Sequence, residues 1–280
     1  MSRYLIATGW WCSDDRDDRD CRKGDEIIRS REFHALWHEC VTKYANAEEI
    51  LVIDSASPIK PPKFPGEVWL EMKTNFGHAT RCVEKLSGVS RAFLMSMMYC
   101  CLNEYDYWVY VEQDCLIYGE GIIEKAIEAD TTGMVFGSGK GTPQPLQHSL
   151  MLVNSSRIPT FIANYMRIAA SDRDLSPEMK FAIASSPFFR FLPQSVVVWA
   201  YTRRTPVSRL VKTLVGGLIQ GFKGFQELEF GCGRVRPIDF DAEFFYFQSG
   251  SREELALFMR KAGLGKTPEA HLRPLKKAQV

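Results

Sequence analysis

The sequence predicts an α/β fold built on a mostly parallel central sheet flanked by helices. Three observations lead there. Runs of β-branched and aromatic residues alternate with segments of helical periodicity, the pattern of strand–helix–strand units. One run, Tyr107-Trp-Val-Tyr-Val-Glu-Gln-Asp-Cys-Leu-Ile117, has the composition of a buried strand and carries two carboxylates, Glu112 and Asp114. At 280 residues, 45% hydrophobic and 25% charged, the chain is long and apolar enough to bury a sizeable core.

The elements follow in order. Residues 3–11 read as a first buried strand closing on Gly9, and a loop of alternating Asp and Arg runs to Asp25. Ile27, Ile28, Phe33, Leu36, Trp37, Cys40, Val41 and Tyr44 recur near helical spacing and predict a helix over 27–44. Glu49-Ile-Leu-Val-Ile-Asp54 is a second strand, stopped by a Pro-rich loop through Gly66, and Val68–Met72 is a short third. Residues 88–104 form an apolar helix, and the run over 107–117 reads as the fourth strand. Helices are predicted at 122–129, 158–169 and 175–185, the last with Ser176 as cap and Pro177 at its first position. Strands are predicted at 134–137, 147–153, 195–201 and 244–247. Residues 207–222 give an amphipathic helix, and Ser251 with Glu254 three residues later caps a final one. The softest boundary, near 200–206, divides a domain over 1–200 from a C-terminal extension over 201–280, made of amphipathic helix, strand and helix and packed on the first.

A net charge of +1 argues against a dedicated nucleic-acid binder. Eight cysteines occur without a Cys-x-x-Cys pair, the N-terminal residues hold no long apolar run, and no window reaches transmembrane length. A reduced, cytoplasmic compartment is expected. The C-terminus, with Arg273, Lys276 and Lys277, reads as a polar tail.

The chemistry concentrates at Glu112 and Asp114. On an extended backbone, residues two apart project to the same side. Two carboxylates there repel unless a cation lies between them. A hard divalent ion, Mg²⁺ or Mn²⁺, takes oxygen ligands at about 2.1 Å and often shares them with substrate phosphates. Rival signals are weaker. Gly137-Ser-Gly-Lys-Gly-Thr142 lacks the first glycine of a P-loop and is followed by prolines, so it reads as a turn. Asp239-Phe-Asp241 has no hydrophobic strand leading into it. His148 and His271 are further candidates to reach a metal.

In their order and spacing, Leu5-Ile-Ala-Thr-Gly9, Val52-Ile-Asp54, Asn75-Phe-Gly77 and Val109-Tyr-Val-Glu112-Gln-Asp114 resemble the GT-A-type nucleotide-sugar glycosyltransferases, over roughly residues 3–155. The departure is Glu112, where that family carries Asp. The resemblance implies a GT-A-like, Rossmann-like sheet and a metal-dependent transfer of sugar from a nucleotide-diphosphate donor to a hydroxyl of a glycan or lipid-linked acceptor. It implies that Thr8, Gly9, Asp54, Asn75 and Gly77 meet the donor, and that Asp114 holds Mn²⁺ or Mg²⁺ with Glu112 beside it. An inverting transfer needs a carboxylate base, for which Glu178, Asp172 and Asp174 are candidates. Two alternatives stay open: a nucleotidyltransferase making nucleotide sugars, and an inactive glycan- or partner-binding protein on the same sheet. Arg209 and Lys212 lie opposite the apolar face of 207–222, with Arg203, Arg204 and Lys223 flanking. That face either docks on a membrane surface or packs on the protein's own core.

Overall fold

The computed structural model describes residues 2–13, 24–188, 191, 193–203 and 205–264. The charged loop over 14–23, and the tail with His271, Arg273, Lys276 and Lys277, lie outside the described residues.

Nine strands and eight α-helices are described: β1 (Tyr4–Trp10), α1 (Phe33–Tyr44), β2 (Glu49–Asp54), β3 (Glu67–Glu71), α2 (Gly88–Leu102), β4 (Tyr107–Val111), β5 (Cys115–Tyr118), α3 (Ile122–Glu128), β6 (Met134–Ser138), β7 (Leu146–Asn154), α4 (Ile158–Arg167), α5 (Pro177–Ser185), α6 (Gln194–Thr202), α7 (Pro206–Gly221), β8 (Gln226–Glu227), β9 (Phe245–Gln248) and α8 (Arg252–Ala262). The α/β expectation is met by a seven-stranded sheet in the order β3-β2-β1-β4-β7-β6-β8. β1 to β4 pair in parallel, β7 runs antiparallel to β4 and β6, and β8 is parallel to β6. The carboxyl ends of β1, β2 and β4 therefore share one edge, where open α/β sheets place ligands.

Period-two alternation splits the strands between two cores. Tyr4, Ile6, Val109, Val111, Leu150 and Leu152 face one layer with α1, α3 and α8. Leu5, Ala7, Trp108, Tyr110, Met151 and Val153 face the other, with α2, α4 and α5.

Three predicted elements change. The helix expected over 27–44 begins at Phe33; Ile27 and Ile28 are buried in a 3-10 turn capped by Asp25, whose carboxylate accepts from Ile27 N. Residues 195–201, read as a strand from Val196-Val-Val198, are helical. Val197 and Ala200, one turn apart, are buried where α6 packs with α7, and this tertiary contact overrides β-branched propensity. The run over 107–117 is two strands rather than one: β4 stops at Val111, and β5 pairs with β9 in a separate two-stranded sheet. The caps predicted for α5 and α8 form as expected, Ser176 accepting from Met179 N and Ser251 with Glu254 closing a capping box.

Candidate active site

The break between β4 and β5 builds the site. Glu112 N still donates to Ser149 O of β7 at 3.0 Å, and Cys115 N donates to Glu112 O at 2.8 Å, closing a tight turn. Inside the turn, Gln113 Oε1 accepts from Trp11 N (2.9 Å) and its Nε2 donates to Trp11 O (3.3 Å), fixing the turn to the chain leaving β1. Glu112 and Asp114 converge as expected, but through a turn rather than strand alternation. Both accept from one amide: Gln248 Nε2 at the end of β9 donates to Glu112 Oε2 at 2.6 Å and Asp114 Oδ1 at 2.7 Å. Gln248 Oε1 in turn accepts from Ser149 Oγ (2.7 Å) and Arg234 Nε (3.0 Å). Ser249 Oγ donates to Asp114 Oδ2 at 3.1 Å, from a backbone held at φ +56°, a left-handed conformation uncommon for serine.

Burial, the neighbouring Asp114 and then Glu178 raise the Glu112 carboxyl to about 7, against the opposing pull of Arg234 and the Gln248 amide. The guanidinium of Arg234 loses hydration on burial, but Glu112, Asp114 and Glu178 together raise its pKa. Glu178 is half-buried in the first turn of α5. Burial pushes its carboxyl up, and His148, a backbone N–H, Arg234 and Ser176 more than offset this, so it stays below the usual carboxylate range. His148 itself is driven down to about 4 by burial between the rings of Phe93 and Phe181. It is neutral at pH 7. Among the described residues, His148 Nε2 finds no hydrogen-bond partner.

Glu112, Asp114 and Glu178 thus all act electrostatically on one guanidinium. Asp172 is fully buried elsewhere: it accepts from Ser87 N and Oγ at the start of α2 and pairs with Lys180 at 2.6 Å. Asp174 is exposed and accepts from Ser171 Oγ. Thr8 is buried in β1. A Cβ on Gly9 would lie 2.9 Å from both Ala92 Cβ and the Tyr110 hydroxyl, so glycine permits the close seating of α2, and Gly9 N donates to that hydroxyl. Asp54 is buried at the end of β2, accepts from Ser57 N and is ion-paired with Lys60. Asn75 accepts from Gly77 N in an exposed turn, with Gly77 at φ +75°. Gly137–Thr142 ends β6 in a turn in which Thr142 N donates to Gly139 O, as the sequence suggested. Asp239 and Asp241 are exposed, Asp239 Oδ1 accepting from Asp241 N. His271 lies outside the described residues. Sequence reasoning missed Arg234, Gln248, Ser249 and Ser149. Only the aromatic run Phe244-Phe-Tyr-Phe-Gln248, closing on a polar residue, hinted at one of them.

Among the described residues no group of three His, Cys, Asp or Glu side chains could hold a metal ion. What the chain offers is two converging carboxylates, with an amide N–H donor directed at both. Even with Arg234 nearby, three carboxylates leave the site net negative. This hard, oxygen-only donor pair fits Mg²⁺ or Mn²⁺ whose remaining ligands come from a substrate diphosphate.

No family model and no curated protein matches the chain. Solved structures do. PcManGT, a mannosyltransferase from Pyrobaculum calidifontis in complex with GDP-Man and Mn²⁺, has 13% identity, with 65% of this chain and 51% of that one covered and a TM-score of 0.39. The glycosyltransferase GlyE of Streptococcus pneumoniae TIGR4 has 9% identity, covering 81% and 45%, with a TM-score of 0.35. S. aureus TarS 1–349 in complex with UDP has 11% identity, covering 96% and 68%, with a TM-score of 0.41. The chain spans about half the length of the first two structures.

Proposed function

We propose that the chain is a glycosyltransferase that moves a sugar from a nucleoside-diphosphate sugar to a hydroxyl of a glycan or lipid-linked acceptor, using Mn²⁺ or Mg²⁺ at Asp114 and Glu112. The observation that carries this reading is the convergence of Glu112 and Asp114 on Gln248, whose amide oxygen also accepts from Arg234. When bound, the cation supplies charge neutralisation to the diphosphate leaving group. Arg234 holds a fixed positive charge beside the carboxylates, suited to a phosphate oxygen. Glu178, kept ionised, takes the proton of the acceptor hydroxyl. Asp172 is assigned a structural part instead, because its carboxylate is occupied by Ser87 and Lys180.

The nucleoside is assigned to the sheet edge where β1 and β2 end, near Gly9 and Asp54, with Thr8 beneath it and the Asn75–Gly77 turn as a further contact. Asp54 then shares its carboxylate with Lys60. A groove of about 680 Å³ between α7 and the turn after β6 is suited to the acceptor: Gln144 on its wall accepts from Ser176 Oγ, two residues before Glu178. Residues 1–200 form the catalytic body, which 201–280 completes with Arg234 and Gln248. A cytoplasmic setting accords with buried thiols that act as packing groups, such as Cys40, Cys100 and Cys115.

Thermal melting with UDP and GDP, each with and without Mn²⁺, tests the reading. A ligand at a hundredfold its Kd stabilises by about 2.7 kcal/mol, roughly a 5 °C rise for a chain of this size, and the rise should require the metal. No shift with any nucleoside diphosphate and Mn²⁺ would remove the assignment.

A further inference from the structure

The apolar face of α7 is divided in two. Val215 and Ile219 are buried and Val211 is half-buried, and these hold the helix on the body of the protein. A second row, Val207, Leu210, Leu214 and Leu218, follows helical spacing yet is 53% to 63% exposed. The row continues into Phe222, half exposed, whose ring lies 4.8 Å from that of Phe188. Phe188 is 6.5 Å from Phe191, itself 67% exposed. From Val207 to Leu218, at about 1.5 Å per residue, the row on α7 alone runs about 17 Å. Scattered exposed apolar side chains need no explanation, but a continuous ridge of them marks a contact surface.

Charge identifies what covers it. No Asp or Glu occurs between Glu178 and Glu227, whereas Arg203, Arg209 and Lys212 are all exposed on or beside α7. A second copy of the chain set on this face would bring cation against cation. An anionic lipid surface suits both halves of the pattern, an exposed apolar row and a segment that is basic and free of acids. No helix among the described residues is long and apolar enough to cross a membrane.

We propose that the ridge from Phe191 to Val207 docks the protein on an anionic membrane surface. Leu210, Leu214 and Leu218 enter the level where headgroups meet acyl chains. Arg209 and Lys212 project from the far side of the helix and act by longer-range attraction to the anionic surface, within about a Debye length of it. This docking does not depend on the catalytic reading.

Co-sedimentation with vesicles tests it. The full chain should bind vesicles containing phosphatidylglycerol, bind phosphatidylcholine vesicles far more weakly, and lose binding as salt rises. Arg209→Glu/Lys212→Glu should weaken binding roughly 25-fold or more, about fivefold for each basic group lost. Leu214→Ser/Leu218→Ser, at exposed positions that leave the fold intact, should abolish it. Equal binding by either variant, or no binding to anionic vesicles at low salt, overturns the proposal. So does a dimer in sedimentation velocity that Leu214→Ser/Leu218→Ser dissolves while vesicles go unbound, which would give the ridge to a second copy.

Discussion

Gln248→Leu tests the organisation of the site. The side chain is 2% exposed and takes part in four hydrogen bonds, two of them to carboxylates. Bonds to charged groups are worth about 1.5–3 kcal/mol each, and members of one network do not add fully. A net loss of roughly 3–5 kcal/mol at pH 8 follows, or about 6–10 °C in Tm for a chain of this size. The loss should depend on pH. Glu112 has its carboxyl raised from 4.5 to about 7, so its contribution is full below about pH 4.5 and disappears as pH rises through 7. Removing the amide withdraws support from the ionised form and pushes that carboxyl higher still, each unit adding about 1.4 kcal/mol to the cost of ionisation. The deficit should therefore be largest near pH 8 and shrink by roughly 1.5–3 kcal/mol near pH 5.5, where Glu112 is protonated. Thermal melts of both proteins across that range measure it. A deficit that is constant with pH, or below about 1 kcal/mol, would refute the bridging role of Gln248.

Asp114→Asn should abolish Mn²⁺-dependent binding of a nucleoside diphosphate with the fold intact, whereas Asp241→Asn should not alter it; calorimetry on the two variants decides between the acid pairs. Glu178→Gln should lower kcat by about 10²–10⁴ with donor affinity unchanged, and an unaltered kcat would free this carboxylate from the role of base. Lys180→Met leaves Asp172 buried without its cation and should cost about 3–5 kcal/mol in a denaturant melt, against little change if the pair were only a surface contact.

The alternation of β1, α1, β2, α2 and β4 was legible because each element buries a face whose period the sequence carries. α6 was not, since three successive valines resemble a strand until the packing of Val197 and Ala200 is known. The acid pair was legible as a pair, but the reason given for its convergence was a strand that stops at Val111. Asp54 shows a different limit: the lysine that pairs with it sits six residues on in a Pro-rich loop, with no periodicity to announce it. Arg234 and Gln248 carry no local signature. They reach the carboxylates because β9 pairs with β5, setting Cys115 opposite Gln248, and such register is a property of the folded chain alone.

That pairing has a consequence for how the protein comes into being. Gln248 bonds a carboxylate 136 residues earlier in the chain, and Arg234 joins the same network from the late segment. During synthesis, β1, β2 and β4 can assemble while these groups have yet to be translated, leaving Glu112 and Asp114 side by side without their donor. In that order the two carboxylates are without their bridging amide until β9 pairs with β5. A chain cut before β9 would keep the parallel strands β1, β2 and β4 yet lack the amide that bridges its two carboxylates.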